Sequence, residues 1–215
     1  MTELVFDCVG ARAERYAVAP TFSLSLRVAE TTGTTVDAIA LRVQIRILPQ
    51  QRRYSDAEAA RLSELFGDTS RWADTVKPLQ FTTLTMMVPG FTGAVEQQLP
   101  VPCTYDLEIA STKYFNALDT GEIPLLLLFS GTVFTTHDGR MRVYQVPWSK
   151  ETVYRLPVSV WRAMVDVHFP DRSWLTVSRK TLDTLQRFKS ENALPTWDSA
   201  IAALLARTDR QERAS

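Results

Sequence analysis

Acid–base, nucleophilic and metal chemistry each need particular side chains at particular spacings, and this chain is sparing with all of them. It has two histidines, His137 and His168, and two cysteines, Cys8 and Cys103. No pair among these four has the short separation of a ligand pair, so no zinc or iron–sulfur site is expected. His137 falls in a His-Asp-Gly turn, where an exposed imidazole is ordinary. His168 falls on the apolar face of a helical pattern, where a packed, hydrogen-bonded ring is the common case. Phe129-Ser130-Gly131-Thr132 lacks the first glycine of a nucleophile elbow. With only eight glycines the chain forms neither a dinucleotide fingerprint nor a phosphate-cradling loop. Asp106 and Glu108 project to one side of a strand-like stretch, as a carboxylate pair would. The alternation with Tyr105, Leu107 and Ile109 explains them equally well as that strand's wet face. No catalytic, metal or cofactor-binding residue is assigned, and no cofactor is expected.

What remains is basic and aromatic. Arg142, Lys150, Arg155, Arg162, Arg179, Lys180, Arg187 and Lys189 interleave with Tyr144, Trp148, Tyr154, Trp161 and Trp174. Such interleaving can stack bases and neutralise phosphates. It is also what results when aromatic residues pack and arginines are their solvated neighbours. Charge is uneven along a chain whose formal net charge is zero. Residues 54–139 carry 4 basic and 11 acidic side chains, and residues 140–190 carry 10 and 4. An acidic middle and a basic later segment suit two parts of one surface, or a patch for an acidic partner. With a pI near 6.7 and no nucleic-acid-binding module, packing is the preferred account. Trp148, Tyr154, Trp161 and Trp174 are the candidate partner-binding residues.

The elements that would carry these residues follow from periodicity. Phe22, Leu24, Leu26 and Val28 alternate with polar residues, as do Leu41, Val43, Ile45 and Ile47. Both read as half-buried strands, and the Gly33 turn between them predicts an antiparallel pair. Leu4, Phe6 and Cys8 predict a shorter strand, and Gln80–Val88 and Val95–Val101 two more, joined by a turn at 89–93. Ser55 with Glu58 forms a capping box for a helix over 55–66 that Gly67 stops. Ser111–Leu118 predicts a short helix. Leu125–Phe134, apolar on both faces, predicts a central strand. His137-Asp138-Gly139 turns the chain into Met141–Val146, and Thr152–Leu156 is the last expected strand. After Pro157 the period becomes helical. One helix carries Trp161, Met164 and Val165, a second starts near Ser178, and a third starts near Thr196 with Ile201, Leu204 and Leu205 inward.

The expected fold is α+β, an antiparallel sheet or sandwich with a C-terminal helical cap. Residues 1–156 form its β region, 157–206 a helical cap packed on it, and 207–215 a frayed tail. At 215 residues, 45% hydrophobic, the chain should bury roughly 70% of its unfolded surface without disulfides or metals. The opening MTELVFDCVG is no signal peptide, and no apolar run approaches the ~20 residues of a membrane span. A cytoplasmic location is expected.

Five segments carry a resemblance: 10–16, 40–47, 88–93, 125–132 and 194–198. Together they are similar to an uncharacterised bacterial family whose members are often encoded beside uptake [NiFe]-hydrogenase genes. That resemblance covers nearly the whole chain and implies association with hydrogenase assembly or function, with no site residues to transfer. A second resemblance, over the first ~50 residues and Lys113–Pro124, is to the export chaperone SecB. The helix at 55–66 and everything after 140 depart from that pattern. The function expected is therefore a non-enzymatic accessory or chaperone-like factor that binds a protein, with a hydrogenase subunit as the partner the resemblance implies. A small-molecule binder or enzyme with a dispersed site is the alternative, and a basic nucleic-acid-binding module the third reading.

Overall fold

Alternating apolar residues build two antiparallel sheets that face each other. The computed structural model describes residues 3–103, 109–168 and 177–212. The smaller sheet is β1 (Leu4–Ala13), β2 (Thr21–Glu30) and β5 (Ala94–Pro102), with β2 in the middle. The larger one runs β4 (Leu79–Phe91), β3 (Val36–Ile47), β6 (Glu122–His137) and β7 (Arg140–Gln145). Its last strand, β8 (Glu151–Pro157), pairs with the first half of β6, on the edge whose other half β7 occupies. Inward side chains of both sheets make the core. Phe6 stacks on Phe129 with ring centroids 4.5 Å apart, and Phe22 lies parallel to Phe81 at 6.2 Å. Each such ring is worth roughly 2–3 kcal/mol of burial.

The fold is α+β, with α1 (Asp56–Phe66), the single-turn α2 (Trp72–Thr75), α3 (Ile109–Asn116) and α4 (Val158–His168) closing the sandwich. The Ser55–Glu58 capping box forms reciprocally and Gly67 ends α1. Phe115 of α3 stacks on Trp161 of α4 at 4.4 Å and meets Phe81 edge-on. The chain divides into two compact units, Met1–Asp171 and Arg172–Ser215. The division falls after α4 and not before it, because α4 packs on β1, β2 and β8. The second unit holds α5 (Arg179–Glu191), capped by Ser178, and α6 (Trp197–Glu212). Among its described residues no helix is long and apolar enough to cross a membrane.

Three expectations need correction. First, β2 and β3 do not pair: β2 lies between β1 and β5, and β3 between β4 and β6. The 31–35 turn carries the chain from one sheet to the other. It is built on Glu30, whose buried carboxylate accepts from the backbone N–H groups of Glu3, Thr32 and Thr34 and from the Thr32 hydroxyl. A tight hairpin would leave that carboxylate without donors. Second, α6 does not fray at 207 but continues to Glu212. Arg207 hydrogen-bonds Asn192 at 2.9 Å and lies over the Phe188 ring, which ties the helix to α5. Third, Ile201 and Leu205 are exposed; Ala200 is the fully buried side chain of that helix.

Candidate functional site

A concavity lies where the 49–55 segment, the start of α1 and the loop before β6 meet. It is an open cleft of about 730 Å³ lined by Arg52, Tyr54, Glu58, Asp119, Gly121 and Arg155 among others. Its size suits a small ligand, but the charged groups at its centre are largely occupied by one another, though Arg52 Nε is buried without a hydrogen-bond partner. Arg52 donates to Glu58 at 2.6 Å, to the Thr120 carbonyl at 2.6 Å and to the Glu122 carbonyl at 2.7 Å. Glu58 also accepts from the backbone N–H groups of Asp119 and Ser55. Burial works to raise the Glu58 carboxyl, but those donors and the Arg52 guanidinium outweigh it and hold it below the usual carboxylate range. Asp119 is clamped by Arg61 and Arg162. Tyr54 donates to the Pro49 carbonyl at 2.7 Å, which leaves its oxygen to accept from Tyr114 at 2.8 Å. Burial pushes the Tyr54 phenol up to about 12, so it stays protonated. The cluster locks a loop onto a helix and holds no group poised for acid–base work.

The residues singled out for chemistry have structural partners too. Both ring nitrogens of His168 lie 3.1 Å from backbone carbonyls, those of Met164 and Ala17. His137 sits beside Asp138 in the hairpin turn, with Asp138 and Gly139 both at positive φ. Cys8 and Cys103 are free, half-buried thiols, each pushed up to about 12 by burial. At neutral pH neither supplies the thiolate that nucleophilic attack or metal binding needs. Among the described residues no three His, Cys, Asp or Glu side chains cluster as a metal site would require. Asp106 and Glu108 lie outside the described residues.

The aromatic candidates separate clearly. Trp161 is 5% exposed and belongs to the core. Tyr154 is half-buried on the inner face of β8, its phenol raised first by burial. Trp174 lies outside the described residues. Trp148, in contrast, is 91% exposed in the link between β7 and β8. That link exists because β6 changes neighbours there. Val146 donates to the Gly131 carbonyl and Phe129 to the Lys150 carbonyl, and residues 147–149 arch between those two bonds. Met141 and Val143 of β7 and Val153 of β8 are exposed too, strung along the same side of β6 opposite Thr136, Phe134 and Leu126. Sequence reading missed these three. In Arg140-Met141-Arg142-Val143-Tyr144-Gln145 the alternation is clean, but it does not reveal that only Tyr144 is half-buried and the rest of the strand is exposed. The basic residues also scatter. Arg142 and Arg155 are exposed on β7 and β8, Arg162 is engaged by Leu118 and Asp119, and Arg179, Lys180, Arg187 and Lys189 belong to α5 of the second unit.

The first unit is thus a two-sheet β-sandwich closed by helices, in which β7 has no strand beyond it among the described residues. The chain belongs to a family of unknown function, DUF6084, whose model matches residues 1–213. No curated protein matches it. Among solved structures, β-glucosidase 3B from Thermotoga neapolitana in complex with α-D-glucose is similar over 72% of this chain, at 10% identity and a TM-score of 0.25. The chain spans 17% of that enzyme's length, and a likeness so slight carries no argument.

Proposed function

We propose that this protein is a non-enzymatic accessory factor that binds another protein along the β7–β8 edge of its larger sheet. The observation that carries this reading is Trp148, 91% exposed in the arch between β7 and β8, on a side of β6 along which Met141, Val143 and Val153 are exposed as well. Single exposed aliphatic residues are normal on a protein surface, whereas an almost fully exposed tryptophan is the kind of anchor that partners bury. Free strand edges are usually blunted, and this one has no β-strand beyond it among the described residues. The cleft around Arg52 supports a small-molecule reading less well, because Arg52, Glu58 and Asp119 at its centre are already paired with neighbours. The resemblance to chains encoded beside [NiFe]-hydrogenase genes puts an unassembled hydrogenase subunit first among the partners to try.

The test is site-specific photo-crosslinking in native cells, with benzoylphenylalanine in place of Trp148 and, as a control, of Tyr16, which is 99% exposed elsewhere on the surface. A discrete adduct from position 148 alone is expected. Equal labelling from both positions, or none from either, would remove the support for this edge.

A further inference from the structure

We infer that β7 takes up an extended segment of its partner by strand addition, and that the segment alternates acidic and apolar residues. This inference rests on the protein-binding reading and specifies the partner's chemistry.

The argument begins with the two faces of β7. Met141 and Val143 lie on one, opposite Thr136 and Phe134 of β6; Arg140 and Arg142 lie on the other, opposite His137 and Thr135. All four are exposed. Neither arginine has a hydrogen bond or an ion pair with any described residue, and the nearby Asp138 is 3.3 Å from His137 instead. β6 occupies one side of β7, and no described strand occupies the other. An incoming strand would place one set of its side chains beside Met141 and Val143 and the alternate set beside Arg140 and Arg142. Cross-strand neighbours interact through side-chain type, so apolar residues suit the first row and carboxylates the second.

The same row argues against a second copy of this chain. A two-fold antiparallel pairing centred on Arg142 sets that guanidinium against its own symmetry mate. A shift of one pair toward the turn sets Arg140 against Arg142. Like charges directly opposite each other destabilise a sheet, and neither guanidinium forms an ion pair with a described residue. Nucleic acid is a poorer fit than an acidic strand, because two arginines on a ribbon of alternating apolar residues make a short, interrupted phosphate track.

The experiment uses the full chain and two fluorescein-labelled probes, one containing Glu-Val-Glu-Val-Glu-Val and the other Lys-Val-Lys-Val-Lys-Val. Anisotropy at low salt should show the acidic probe binding roughly tenfold tighter, as two favourable cross-strand charge pairs allow. Arg140→Glu with Arg142→Glu should reverse that order. Hydrogen exchange on the unaltered protein gives a second readout. The acidic probe should slow exchange of β7 amides and leave β5 unaffected. No preference between probes, or a preference that survives charge reversal, overturns the inference. So does a concentration-dependent dimer in which β7 amides become protected without any probe. Loss of the probe preference while the position-148 crosslink persists would refute strand addition alone; loss of both would refute the protein-binding reading as well.

Discussion

Arg52 and Glu58 hold opposite charges where neither is reached by much water, with side-chain exposures of 8% and 5%. Removing one partner strands the other, so Arg52→Met should cost about 3–5 kcal/mol, measured by urea denaturation. Trp148→Ala, at a site with no packing to lose, should stay within about 0.5 kcal/mol of the wild type. Those two results together would separate the residue that holds the fold from the one offered to a partner. Glu30 and Glu58 also set the acid limit of stability. Burial tends to raise both carboxyls, but their hydrogen bonds prevail and keep them below the ordinary carboxylate range in the folded state. A depressed carboxyl stabilises fully above its unfolded value, and that contribution fades as pH falls through the folded value. Urea midpoints should therefore hold steady at neutral pH and drop on acidification below about pH 4. Glu30→Gln should lower the neutral midpoint and flatten the acid limb, since the amide does not titrate. An acid limb of unchanged steepness in that variant would dissociate Glu30 from the effect.

At the scale of the elements, Gly131 is the position on which the sheet turns. Its φ is +147°, and an added Cβ would stand 2.1 Å from the Ala40 carbonyl oxygen, a backbone atom that cannot swing aside. β6 passes from β8 to β7 at this point, so the glycine lets one strand serve two partners on one edge. Gly131→Ala should cost about 3 kcal/mol or more, through strain and overpacking together, and thermal melts of that variant would show it. None of this could be read in advance. Alternation tells which face a side chain takes but not which strand lies beside it. That is why Phe22–Val28 and Leu41–Ile47 were legible as strands while their pairing was not. The deciding fact was a carboxylate, Glu30, gathering donors from both ends of the corner. Helix ends were more legible, because the Ser55–Glu58 capping box and the Ser178 cap are local chemistry with no remote partner to guess. The apolar edge was the least legible part. Met141, Val143 and Val153 have the side-chain types of half-buried strands, and only the finished sheet shows that nothing covers them. Of the aromatic candidates, Trp148 and Trp161 are equally large and apolar. What separates them is that one falls in an arch between strands and the other on the inner face of α4.

For the whole molecule, the distribution of burial makes a prediction about the two units. The contiguous apolar core draws its residues from Leu4 to Val165, all within Met1–Asp171. In the second unit α5 contributes no buried residue, and Leu182, Ile201 and Leu205 are exposed. Among the contacts that join α5 to α6 are the Arg207–Asn192 hydrogen bond and two cation–π contacts, Arg207 over Phe188 and Lys189 over Trp197. Such contacts are worth roughly 0.5–1 kcal/mol each when exposed, and short helices that bury little apolar surface are marginal in water. A chain ending at Asp171 should therefore keep a single cooperative melt and the near-UV circular dichroism of a packed aromatic core. A peptide of residues 172–215 should show little helix on its own at 25 °C and gain it in trifluoroethanol. If the shortened chain loses its near-UV signal, the core described above is not self-sufficient. If the peptide alone is fully helical, α5 and α6 are joined by more than the contacts named here. With both expectations met, the probe titrations at β7 can be repeated on the shortened chain, and unchanged binding there would assign the docking edge to the sandwich alone.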